Sequence, residues 1–365
     1  MTMETTPGAA AGPGLTRRAF VAAAGAGLAA GLAGCSSGDD ADDTSADDAD
    51  ADDTSADDTA TDTSETNSIT VFYFDTVIQI DAQCSEELLA QVDERLNYFE
   101  NTFSRTIEGS DIWNINEAGG QPVEVAEETA ELITQALVYC EESGGLFDIT
   151  IGAVSSLWDF DEGIKPDDAD IAEAIQHIDY RTVSVEGTTV TLADPDAMLD
   201  LGGVAKGYIT DDIVALLAEN GCENACLSLG GNVYVMGLSF DGDEWNVGVQ
   251  DPNGYYDDAV ATRSAEDLSV VTSGLYERCF AEDGVTYYHI LDPKTGYPVE
   301  TDLQSASIVC DESTVADAYS TILFLKGLDA AKELVESDDR FLDGIFIDDA
   351  NDITSIDGSE FEILA

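Results

Sequence analysis

The chain has 365 residues with 13 Lys+Arg against 76 Asp+Glu, a formal net charge of −63, and 44% hydrophobic residues. That length accommodates one large or two modest domains. The charge argues against a nucleic-acid partner and against adhesion of the folded surface to anionic lipid, both of which require a basic face.

Residues 1–34 read as an export signal. Thr16-Arg17-Arg18-Ala19-Phe20 is a twin-arginine pattern, and the apolar stretch from Val21 to Ala33 is too short and too rich in Ala and Gly to span a bilayer. Leu32-Ala33-Gly34-Cys35 is a lipobox pattern, which places a lipid on Cys35 and anchors the protein to the outer face of the cell membrane. Residues 35–67 continue as that Cys and an acidic tether. The unit Ala-Asp-Asp-Thr-Ser-Ala-Asp-Asp occurs at 41–48 and again at 51–58, and 36–67 holds thirteen acids and no base. Such a segment cannot bury enough surface to offset chain entropy, so it is expected to stay disordered. The remaining 62 acids and 11 bases of 68–365 still give −51. The six cysteines after Cys35 form no Cys-x-x-Cys pair and the chain has two His, which argues against a zinc site. Most of the six read as small buried hydrophobes.

From Ser68 the texture is that of a mixed α/β unit. Residues 69–80 are β-branched and aromatic and predict one strand. Ser85 caps a predicted helix whose Leu88, Leu89, Val92, Leu96 and Phe99 recur at helical spacing. Further helices are predicted near 126–141, after Gly207 with Ile213, Leu216 and Leu217 inward, and from about Thr314 to Leu325. Strands are predicted at Ala225–Leu229, Val233–Met236, Trp245–Gln250 and Tyr287–Leu291. Strands and helices interleave without regular alternation, which disfavours a doubly wound sheet. No Gly-x-Gly-x-x-Gly opens a helix after the first strand, which disfavours a nicotinamide oxidoreductase.

Four stretches carry chemistry. In Ser143–Phe160, Phe147 and Trp158 are either core or walls for a flat aromatic ligand. In Leu199–Asp212, Asp200 is predicted to end a strand, Gly202-Gly203 to turn, and Lys206 to precede a helix whose start offers N–H groups to an anion. In Tyr287–Gly296, His289 ends a strand beside the turn Asp292-Pro293-Lys294-Thr295-Gly296, placed to bind phosphate or move a proton. In Thr314–Gly327, Asp317 and Thr321 are four apart on one helix face, and a carboxylate, a hydroxyl and a nearby carbonyl suit Mg²⁺. The plain alternative is Asp317 as a helix cap with Thr321 in the core.

In order, Gly-Leu-Phe-Asp-x-Thr-x-Gly with Leu-Trp-x-Phe, Asp-Leu-Gly-Gly-x-Ala-Lys-Gly-Tyr, Thr-Ser-Gly-x-Tyr-Glu-Arg, His-Ile-Leu-Asp-Pro-Lys-Thr-Gly-x-Pro and Ala-Asp-Ala-x-Ser-Thr resemble the ApbE-type FAD:protein FMN transferases. Phe103-Ser104-Arg105 and the segment Ser110 to Asn116 fit that family's early flavin-site segment. The resemblance spans about 70–345 and implies a single α+β catalytic unit over 68–365. It implies Mg²⁺-dependent transfer of FMN from FAD to a Ser or Thr hydroxyl of an acceptor protein, releasing AMP. It places Asp317, Thr321 and the Gly203 carbonyl on the metal, with Asp317 and His289 as the catalytic pair. Leu146, Phe147, Asp148, Asp200, Lys206 and Ile290 would contact FAD. Phe74, in a Phe74-Asp75-Thr76 that replaces the family's Met-Gly-Thr, and Thr106, where an aromatic is common, fall at the flavin end. The competing readings are hydrolysis of FAD to FMN and AMP, and a non-catalytic FAD-binding lipoprotein.

Overall fold

The computed structural model describes residues 20–23, 65–255 and 258–364. Cys35, the acidic tether and most of the proposed export signal lie outside the described residues.

Eight strands form the main sheet: β1 (Asn67–Tyr73), β2 (Thr76–Ala82), β3 (Ala225–Leu229), β4 (Asn232–Met236), β5 (Leu268–Gly274), β6 (Leu303–Cys310), β7 (Asp343–Asp348) and β8 (Ile353–Ser355). They lie side by side in chain order, and every neighbouring pair is antiparallel. The single strand predicted over 69–80 is therefore a hairpin, with Tyr73 opposite Thr76. Phe74 and Asp75 make its two-residue turn at φ 54° and 57°, the left-handed pair of a type I′ turn. The family's Gly in Met-Gly-Thr falls on Asp75, a residue type that tolerates this region better than most. Glu100 holds the turn by accepting from Phe74 N at 2.7 Å.

Eight helices fill the connections: α1 (Glu86–Phe103), α2 (Asp111–Glu117), α3 (Glu127–Glu142), α4 (Gly152–Ser155), α5 (Asp168–Ala174), α6 (Ala205–Glu219), α7 (Ser313–Lys326) and α8 (Leu328–Ser337). The predicted cap is present: Ser85 accepts from Leu88 N at 3.2 Å, and Leu88, Leu89, Val92, Leu96 and Phe99 are buried. In α6, Ile213 and Leu217 are buried and Leu216 is half-buried.

Alternation along the central strands sorts their side chains into two layers. Leu227, Leu229, Tyr234, Met236, Val271 and Ile308 join the core under the helices. Cys226, Val233, Val235, Val270 and Val309 pack instead on a second sheet through Trp245, Val247 and Ala265. That sheet pairs Trp245–Gln250 with Ala259–Ala265 and carries Glu362–Ile363 and Phe20–Ala23 at its edges. Helices, an antiparallel meander and a small sheet make an α+β architecture. No described helix is long and apolar enough to cross a membrane. Of the six described cysteines, all free, five are buried and Cys279 is exposed.

Candidate active site

The site is built where α6 and α7 cross. Gly207 lies in the contact, and a Cβ there would stand 2.4 Å from the Ser313 carbonyl oxygen, so only glycine permits the approach. The two helices cap each other. Asp211 of α6 accepts from Ser313 N and Thr314 N, both at 2.8 Å, and from Thr314 Oγ1 at 2.6 Å. Asp317 of α7 accepts from Gly207 N at 2.9 Å. Asp317 is thus a partner of the α6 N-terminus, while Asp211 caps α7 itself. The reading of Asp317 as a cap of its own helix does not hold.

Around this crossing lies a cleft of about 380 Å³ whose lining includes all twelve expected site residues: Phe74, Thr106, Leu146, Phe147, Asp148, Asp200, Gly203, Lys206, His289, Ile290, Asp317 and Thr321. Asp317 is 4% exposed. Lys206 is not a residue before the helix, as the sequence predicts, but the second residue of α6, and its Nζ stands 3.6 Å from Asp317 Oδ1. Thr321 Oγ1 lies 3.3 Å from Ser273 Oγ. A Cβ built on Gly203 would stand 3.8 Å from Thr321 Oγ1 and 2.9 Å from the Phe147 ring, so the chain passes close to both. Asp317, Thr321 and Gly203 offer an all-oxygen donor set with one charge, which fits a hard divalent cation that keeps water and phosphate oxygens as its other ligands. Among the described residues, the one grouping of three His, Cys, Asp or Glu ligand atoms is elsewhere, at His177, Asp194 and Asp196.

Asp200 does not end a strand; it follows an isolated bridge between Ile151 and Met198. Its Oδ1 accepts from Gly202 N at 2.9 Å and its Oδ2 from Ser155 Oγ at 2.7 Å, with Arg105 Nε 3.2 Å away. Asp148 is buried with both oxygens engaged, by Thr150 N, Thr150 Oγ1 and Tyr180 N, and burial raises its pKa. It clasps the wall of the cleft rather than offering a free carboxylate. Trp158 is buried in an aromatic cluster, stacked on Phe160 at 5.5 Å, and its Nε1 donates to the Gly296 carbonyl. His289 follows the strand Val285–Tyr288, earlier than the predicted Tyr287–Leu291, and its Nδ1 has no partner. Burial, with Lys206 and Arg278 adding to it, pushes its pKa down to about 4, so the ring is neutral at pH 7.

Among the charged residues in the quoted motifs that received no role from sequence are Arg105, Glu277 and Arg278. All three line the cleft, with Lys206. A chain with 13 Lys+Arg places three of them around one cavity, beside six lining Asp and Glu residues, and this gathering of scarce cations in an acidic molecule offers an anionic ligand its partners. The signal in the sequence was the scarcity of bases, which makes each one within a motif informative. Burial pushes Glu277 up to about 7, with Asp317 raising it and Lys206 lowering it. Its ionisation as pH rises through 7 adds a negative charge to the cleft. Affinity for a pyrophosphate, measured with EDTA present, is therefore expected to fall between pH 6 and 8.5. In Glu277→Gln that dependence flattens, and an unchanged pH profile would remove Glu277 as its source.

The ApbE family model matches residues 70–346. An FAD:protein FMN transferase of Treponema pallidum (strain Nichols) is 40% identical over 60% of this chain and 65% of its own length. One of Klebsiella pneumoniae (strain 342) is 33% identical over 73% and 84%. The chain thus spans just under two thirds of the treponemal relative. The ApbE protein of Thermotoga maritima superposes with a TM-score of 0.73 at 32% identity, covering 80% of this chain and 97% of that one. The flavin transferase ApbE of Vibrio cholerae, at 23% identity and a TM-score of 0.71, shares the fold. With the match running from the first strand of the main sheet into the seventh, the chain belongs to the ApbE family.

Proposed function

We propose that this protein transfers FMN from FAD to a Ser or Thr hydroxyl of an acceptor protein, with Mg²⁺, and releases AMP. The observation that carries the reading is the cleft itself: an all-oxygen donor set and three cations share one cavity in a strongly acidic chain. Lys206, Arg105 and Arg278 attract the pyrophosphate, which the surrounding acidity would otherwise repel. Mg²⁺ held by Asp317, Thr321 and Gly203 would polarise phosphorus and stabilise charge on the departing phosphate. The acceptor oxygen bonds to the FMN-side phosphorus as the bond to AMP breaks, and its proton leaves to a base or water. Phe147, Leu146 and Ile290 supply apolar wall for rings. His289, neutral with an unpartnered ring nitrogen, would meet a phosphate oxygen or take the proton. Phe74 and Thr106 flank the flavin end.

The test mixes FAD, Mg²⁺ and a candidate acceptor, denatures the mixture and reads flavin fluorescence on the acceptor. Fluorescence that stays with the acceptor and vanishes with EDTA supports the reading. FAD converted to FMN and AMP at equal rate without acceptor would replace it by hydrolysis.

The export signal and lipid on Cys35 complete the proposal, placing the enzyme on the outer face of the membrane. Cys35→Ala is expected to release an active protein from membranes, and a variant that still partitions into detergent would show that the anchor lies elsewhere.

A further inference from the structure

A second concavity, of about 970 Å³, adjoins the cleft, and Leu325 lines both. One of its walls is the strand Val285–Tyr288, all four of whose residues line it. Successive residues of a strand point to opposite faces. A wall that includes all four is therefore the strand's edge. The strand pairs on its other side with Cys279–Glu282, in a hairpin that sets Glu282 opposite Val285 and Cys279 opposite Tyr288. One rung beyond, His289 N donates to the Arg278 carbonyl at 3.1 Å. Antiparallel rungs alternate between bonded and non-bonded pairs. Val285 and Tyr287 thus bond within the hairpin, and the N–H and C=O of Thr286 and Tyr288 face the concavity. No backbone bond reaches either residue from that side among the described residues.

The opposite wall comes from 300–302, the end of α7, the start of α8 and Asp349. Four carboxylates line it, those of Glu300, Asp302, Asp329 and Asp349, against the single cation Lys326. Asp302 is partly engaged, accepting from Leu328 N at 2.9 Å. The groove thus combines an open row of backbone donors and acceptors with a wall that favours positive side chains.

We infer that this groove takes an extended, Lys- or Arg-bearing segment of the acceptor protein, added as a third strand beside Val285–Tyr288. The inference rests on the FMN-transfer reading for its occupant. Charge decides against the other occupants at hand. A second copy would bring the same acidic surface, −51 over residues 68–365, and the chain's own tether has thirteen acids and no base. Position decides for the acceptor. Tyr288 is followed by His289, which lines the cleft, and a strand advances about 3.3 Å per residue. A segment paired beside Thr286 and Tyr288 ends within a residue or two of the level of His289, where its hydroxyl is needed. Strand addition supplies affinity through the main chain and leaves side chains to set specificity.

The test uses the full folded chain and a fluorescein-labelled ten-residue peptide of alternating Lys and Val containing one Thr, with a Glu-for-Lys counterpart. Thr286→Pro deletes the outward N–H and leaves the hairpin's own bonds intact, a substitution that an exposed edge tolerates. Wild type is expected to bind the basic peptide and not the acidic one, and Thr286→Pro to bind it roughly tenfold more weakly. FAD affinity and melting temperature stay unchanged. A second variant, Glu300→Lys with Asp329→Lys, is expected to lose the preference for the basic peptide most clearly at low salt. Equal binding of the two peptides, no binding of either, or full binding by Thr286→Pro would each overturn the inference. So would a dimer of the wild type that Thr286→Pro dissolves, which would make a second copy the occupant. If FAD is never transferred or cleaved, the transfer reading fails on its own, and the peptide titration still reports on the groove.

Discussion

Asp317→Asn is expected to lower FMN transfer by roughly a hundredfold or more while leaving the fold intact, because a metal's stabilisation of phosphoryl charge amounts to several kcal/mol. Asn is the informative substitution at this position. Asp317 Oδ2 accepts from Gly207 N, and an amide oxygen preserves that bond, whereas Ala would leave a buried donor unpaired at about 1–3 kcal/mol. What Asn removes is the charge beside Lys206 and beside the Thr321 hydroxyl. FAD binding and Mg²⁺-dependent transfer then respond with opposite signs. With EDTA present, FAD is expected to bind the variant more tightly than wild type, since one negative charge has left the cleft. With Mg²⁺ present, transfer collapses because the only charged ligand of the donor set is gone. Titrating FAD in EDTA and assaying transfer in Mg²⁺ on one preparation checks both. An Asp317→Asn protein with normal Mg²⁺-dependent turnover would sink the metal assignment.

The second large effect is expected from Gly207→Ala. The added methyl would meet the Ser313 carbonyl at 2.4 Å, Thr314 Cα at 2.7 Å and Asp317 Cβ at 2.8 Å. Two of these neighbours are backbone, so relief requires α6 and α7 to separate. Overpacking of this kind costs about 1–3 kcal/mol, and here it also pulls apart the reciprocal caps of Asp211 and Asp317. A lower melting temperature and loss of transfer are expected together. Gly203→Ala makes the contrast. Its close neighbour is the ring of Phe147 at 2.9 Å, a side chain that can turn, so FAD affinity is expected to change more than stability. Equal melting temperatures for wild type and Gly207→Ala would show that the crossing has more room than these distances allow.

Local signals were legible in the sequence and tertiary ones were not. Ser85 and the apolar rows of α1 and α7 announced their helices because a cap and a helical period are written within a few residues. The hairpin turn at Phe74-Asp75 was hidden because its first residue is an aromatic and neither is the glycine that usually marks a type I′ turn, and apolar residues run through it on both sides. β6 escaped for a related reason: nearly all of Leu303–Cys310 is buried, so no alternation betrays it. The site was legible as motifs in order, and the cleft gathers the residues those motifs contain. The missing part was pairing. Asp211 and Ser313 are 102 residues apart, and nothing local tells an aspartate in one helix that it caps another. Arg105 and Arg278 stood in quoted segments, yet their meeting around one cavity is a product of the fold.

The main sheet runs in chain order, but its rungs are not equally easy to close. β3 and β4 are joined by a tight turn, whereas β2 reaches β3 only across residues 83–224. Loop-closure entropy grows with the length closed, so long-range pairings form late. The C-terminal meander is expected to assemble first and the β1–β2 hairpin to dock last, at the far edge of a sheet already built. That hairpin carries Phe74 and Thr76 into the cleft. Under the proposed transfer, the end of the cleft assigned to flavin is therefore expected to form last, and a chain arrested before its longest closure would have the place proposed for phosphate but none for the ring.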